Sequence, residues 1–128
     1  MKIPIRRRRK LASLASLILI PVLSALSGCK SYWVQTTVEN QTGHALHEVE
    51  IDYPSASFGI NTLADGASSH YRLQIRGSGP VKVQYTLDTG KTINVQGLSL
   101  SEHQQGTLTL RLLPTGKVDF LPNLTPAP

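Results

Sequence analysis

Few side chains in this 128-residue chain are placed to do chemistry. Cys29 is the single cysteine, so its thiol has no internal partner for a disulfide. A free thiol is a liability in an exported protein, whereas a thiol consumed in an anchor is not. His44 and His47 lie three residues apart beside a turn. Imidazoles suit copper and zinc, so a weak metal-handling site is one reading of that pair. No second cysteine or acidic cluster with ligand spacing joins them, and surface histidines are the plainer reading, so no metal or cofactor is assigned. The many serines include none in a G-x-S-x-G turn. Gly77-Ser78-Gly79 lacks the following helix that a phosphate-binding loop needs. Asp88-Thr89-Gly90 places a carboxylate in a segment of hairpin composition. There Asp accepts backbone N–H bonds and Gly supplies positive φ.

The basic excess belongs to one end. Six of the 13 Lys and Arg residues precede residue 11, as Lys2, Arg6–Arg9 and Lys10. From Cys29 onward seven basic residues face eight acidic ones, a net charge of −1. That near-neutral balance removes the compositional argument for nucleic-acid binding. The basic Met1–Lys10 leads into an apolar Leu11–Leu26, interrupted only by Ser13, Ser16, Pro21 and Ser24. These 16 residues fall short of the roughly 20 that span a bilayer as a helix. A basic start, an apolar core and small residues before a cut make a secretory leader, helical and then removed.

Leu26-Ser27-Gly28-Cys29 ends this leader. It resembles the lipobox of bacterial lipoproteins, an aliphatic residue and two small residues before a cysteine. The resemblance covers residues 1–29. It implies a cut between Gly28 and Cys29, an S-diacylglycerol on Cys29 and N-acylation of the new amino group. Small residues let an extended backbone enter a peptidase site, and the thiol is the nucleophile that is alkylated. Each buried methylene contributes about 0.8 kcal/mol, so two or more chains hold firmly. In Gram-negative members of that family, Asp after the cysteine favours inner-membrane retention. Lys30 departs from it, which implies the outer membrane facing the periplasm, with the cell surface as a second possibility.

Beyond the leader the pattern has period two. Val34, Thr36 and Val38 alternate with Gln35, Thr37 and Glu39, and Val49, Ile51 and Tyr53 with Glu48, Glu50 and Asp52. Tyr71, Leu73 and Ile75, then Val81, Val83, Tyr85 and Leu87, then Leu108, Leu110 and Leu112 continue it. Short strands divided by turns every 8–12 residues predict a small antiparallel β-sandwich, all-β and immunoglobulin-like in architecture, with seven or eight strands. The immunoglobulin disulfide has no cysteines here. The expected boundaries are a signal peptide over 1–28, the lipidated Cys29 and tether over 29–33, the sandwich over 34–120 and a Pro-rich, disordered tail over 121–128.

Leu87-Asp88-Thr89-Gly90 also resembles the active-site triplet of aspartic proteases, where one carboxylate shares a proton with a second. A chain of this length would need a dimer and a later apolar-apolar-Gly segment, which Gln96-Gly97 does not supply convincingly. No catalytic residue is assigned. The expected function is a non-enzymatic, membrane-anchored envelope module, with a hydrolase dimer at Asp88 or metal handling at His44 and His47 as alternatives. Its expected partners are the membrane, through the lipid, and an envelope protein or glycan. Trp33, four residues past Cys29, suits either the membrane interface or the first strand. The Thr and Gln positions read as solvated sheet faces.

Overall fold

The computed structural model describes residues 32–126, together with Lys2 and Pro4. Eight strands follow one another: β1 (Val34–Asn40), β2 (Leu46–Tyr53), β3 (Ala56–Leu63), β4 (Ser68–Leu73), β5 (Gly79–Leu87), β6 (Thr92–Leu100), β7 (Gln104–Leu113) and β8 (Lys117–Pro126). Only a 3₁₀ turn over Pro114–Gly116 breaks the all-β pattern among the described residues. The strands form two four-stranded sheets packed as a sandwich, ordered β4-β1-β7-β8 and β3-β2-β5-β6.

Alternation decides what fills the space between the sheets. Val34, Val38, Leu73, Leu108, Leu110 and Leu112 come from one sheet, and Leu46, Val49, Ile51, Leu63, Val81, Val83, Tyr85 and Leu100 from the other; all are buried. Burying one such side chain stabilises by about 1.5–3 kcal/mol, so this set is the main favourable term. The phase expected from the sequence is kept in β1, β5 and β7. In β2 it slips. Glu48 has φ +48°, and the pairing of β2 with β5 shifts between His47 and Glu50. That bulge keeps Leu46 and Val49 both pointing inward.

Two expectations need correction. The sandwich is not wholly antiparallel: β1 runs parallel to β7, from Val34 opposite Gly106 to Asn40 opposite Leu112. Alternation specifies a face and carries no information on a neighbour's direction. The likeness to immunoglobulin domains lies in the two-sheet architecture, as expected, with a strand order that differs from a constant domain, where the first, second, fifth and fourth strands share a sheet. Finally, the expected tail is mostly strand, because β8 pairs with β7 through Pro126. Pro122 is tolerated there because β8 is an edge strand, where a missing donor can face solvent.

An aromatic ring closes each open side of the sandwich. On one side, Phe58 of β3 stacks on Tyr71 of β4 with centroids 3.8 Å apart, and Tyr71 Oη donates to the Gly59 carbonyl at 3.1 Å. On the other, Phe120 of β8 lies over Gly97 of β6, where an added Cβ would run into that ring. A side chain there would have to displace the Phe120 ring.

Asn40 ties off the end of β1. It is fully buried. Its Oδ1 accepts from the Thr42 N–H at 3.0 Å and the Thr42 hydroxyl at 2.7 Å. Its two amide hydrogens reach three carbonyls, of His44 at 2.7 Å, Leu63 at 2.9 Å and Ala64 at 3.1 Å. Its backbone N–H donates to Ala67, its carbonyl accepts from Gly66, and the next N–H donates to Leu112. Asn40 thus joins the β1–β2 loop to the β3–β4 turn, and its neighbour Gln41 adds the tie to β7. Asn40→Ala would strand those carbonyls, so it should cost about 2–4 kcal/mol in urea denaturation at unchanged m-value.

Burial also raises the Tyr85 phenol above its ordinary value of 10.0. Above pH 10 the unfolded chain gives up that proton before the native protein does. The contribution of this phenol is therefore complete below pH 10 and is lost as the pH rises through the raised value. Tyr85→Phe should remove that part of the alkaline loss, measured as the difference between wild-type and variant unfolding curves across that range.

Candidate functional site

The two ends of the sandwich are built differently. One holds the start of β1, the β2–β3 turn, the β4–β5 connection and the β6–β7 loop. Trp33 enters it, with its carbonyl accepting from Gly106 at 3.2 Å. The Arg72 guanidinium lies 4.4 Å from the centroid of the Trp33 ring. Ser55 knits two loops, its hydroxyl donating to the Gln74 carbonyl at 2.9 Å and accepting from the Arg76 N–H at 3.3 Å. Gln74 Oε1 in turn accepts from Arg76 Nε and Nη2, at 3.1 and 2.8 Å. The third loop joins through His103, whose N–H donates to Ile75 at 3.0 Å and whose ring lies 5.7 Å from that of Tyr32.

Trp33, Tyr53, Ser55, Arg72, Gln74 and Arg76 line a shallow cleft of about 240 Å³. Both arginines are exposed. Among the described residues neither lies within 4.0 Å of a carboxylate, whereas Arg111 is held by Glu39 at 3.0 Å. The cleft combines an indole, a phenol and two guanidinium groups free of acidic partners. That set suits an anionic group presented beside an apolar surface. Sequence reading found Trp33 but neither arginine, because Arg72 and Arg76 look like ordinary outward positions of an alternating strand.

The far end carries the residues singled out for chemistry. The Asp88 turn closes with Gly90 N–H to Leu87 O at 2.8 Å and Leu87 N–H to Lys91 O at 2.9 Å, with Gly90 at φ +84°. Asp88 stands exposed at this tip, and its Oδ1 is 2.7 Å from His47 Nε2. His47 thus meets the carboxylate in place of a metal partner. His44 is exposed in the β1–β2 loop, where its carbonyl is tied to Asn40 and Thr42. Among the described residues no three His, Cys, Asp or Glu side chains are grouped to hold a metal ion. Leu26, Ser27, Gly28 and Cys29 lie outside the described residues.

No family model matches the chain, and no curated protein matches it. Among solved structures, the sandwich is similar to the NMR structure of a protein from Eubacterium rectale, with a TM-score of 0.52 and 16% identity over 71% of this chain and 88% of that one. The shared property is the fold.

The His47–Asp88 pair is solvated, so it should contribute little. Asp88→Asn should change stability by less than about 1 kcal/mol. Gly90→Ala, which forces a Cβ into the left-handed region, should cost about 1 kcal/mol or more. Thermal unfolding of both variants checks this order, and the reverse order would give the carboxylate a larger role than a turn's surface pair.

Proposed function

We propose that the protein is a lipid-anchored envelope protein, a small non-enzymatic sandwich held at a membrane as an interaction or structural module. The carrying observation is Leu26-Ser27-Gly28-Cys29 directly after a basic and then apolar leader. The position of that cysteine supports it. Trp33 is only four residues beyond Cys29, a reach of at most about 14 Å. An acylated Cys29 would therefore bring one end of the sandwich close to the bilayer and turn the Asn40 end away from it. Lys30 favours the outer membrane over retention at the inner one.

The hydrolase alternative draws no support from the Asp88 geometry. A protease carboxylate needs a second aspartate to share its proton. Asp88 instead meets a histidine at an exposed turn. The metal-handling alternative would need His47 to give up that same contact.

Cys29→Ser tests the reading. In the native host the variant should accumulate as an uncut, unacylated precursor that migrates more slowly and incorporates no labelled palmitate. A variant that is cut and labelled like the wild type would overturn the proposal.

A further inference from the structure

The cleft at the tether end has a use that anchoring alone does not require. Trp33 is half-buried, and the Arg72 guanidinium covers one face of its ring. Among the described residues the Arg72 guanidinium makes no hydrogen bond or ion pair, so its N–H groups are available to an anion. Arg76 is oriented by Gln74 and Ser55, neutral partners that leave its charge uncompensated. The acid in the adjoining β6–β7 loop, Glu102, has its carboxylate 3.5 Å from the His103 ring. Tyr53 supplies a second amphipathic ring. Tryptophan and tyrosine favour the headgroup layer, and arginine binds phosphate by its planar fork.

Resting on the lipoprotein reading, we propose that this cleft is an interfacial site for the phosphate of anionic phospholipid headgroups. Arg72 and Arg76 hold the phosphate, and Trp33 and Tyr53 rest against the upper acyl region. The occupant follows from two observations. The chain between Cys29 and Trp33 is too short to carry the cleft far from the bilayer to which the lipid is bound. The exposed charges in the cleft are positive, opposite to those of an anionic leaflet. The sandwich would then lie in a fixed attitude, with Asn40 and the Asp88 turn toward the aqueous side.

Trp33 is the sole tryptophan, so its fluorescence reports this cleft alone. The mature, acylated protein is reconstituted into vesicles of phosphatidylcholine, with or without phosphatidylglycerol, that carry lipids brominated near the top of the chains. Trp33 should be quenched and blue-shifted in the phosphatidylglycerol vesicles and much less so in phosphatidylcholine alone. Arg72→Gln and Arg76→Gln should each weaken the docked state roughly fivefold, the worth of one charge at an anionic surface. Circular dichroism of each variant confirms that the sandwich is intact. Acylated protein whose Trp33 is unquenched, or equally quenched in both vesicles, overturns this inference and leaves the anchoring proposal standing. A Cys29 without acyl chains removes both.

Discussion

The buried amide of Asn40 is the interaction on which the fold most depends. The core is apolar and non-directional, and it would be satisfied by several ways of stacking two sheets. Asn40 is directional. It binds its own loop, the turn between β3 and β4, and through the following N–H the end of β7. Those side-chain contacts tie the end of β1 to two loops, beside the point where the Gln41 N–H closes the parallel pair at Leu112. A buried amide with every atom bound costs little to keep and much to disrupt. The protein has no internal disulfide to do this work, since it has only one cysteine.

Much of this architecture was legible in the sequence, and the unread parts share one cause. Alternation is local: Val34 to Val38, Val81 to Tyr85 and Leu108 to Leu112 announced buried strand faces before any neighbour was known. Pairing is not local. Nothing at Val34 or Gly106 says that their strands run side by side in the same direction. Glu48 continued the alternation on paper, yet its left-handed backbone makes it the bulge residue, a conformation that glutamate does not advertise. The prolines of the last segment suggested disorder and instead mark an edge strand. That the Asn40 side chain faces inward could be inferred only from its place in phase with Val34, Thr36 and Val38. Thr36, in that same row, is buried with its hydroxyl unpaired, a cost with no visible return.

The candidate site was read less well than the fold. The sequence drew attention to Asp88 and to His44 and His47, which the structure places at the end farthest from the start of β1. The cleft at the near end is assembled from Trp33, Tyr53, Arg72 and Arg76, residues from three separate segments whose spacing in the chain is uninformative. It became visible only when β1 and β4 were paired, which sets Gln35 beside Arg72 and brings Trp33 within reach of it. Both aromatic closures, Phe58 on Tyr71 and Phe120 on Gly97, were hidden for the same reason.

The proposed role joins these two ends. A sandwich stiffened at one end by Asn40 and tethered at the other by an acylated cysteine would present a defined surface to the envelope without needing catalytic chemistry. The proposal stands or falls on the state of one sulfur atom. The most direct measurement is the intact mass of the protein purified from the native envelope. The account predicts a chain that begins at Cys29 and carries a diacylglycerol and a further acyl group. A chain that retains Met1, or one with a bare thiol at Cys29, would contradict it.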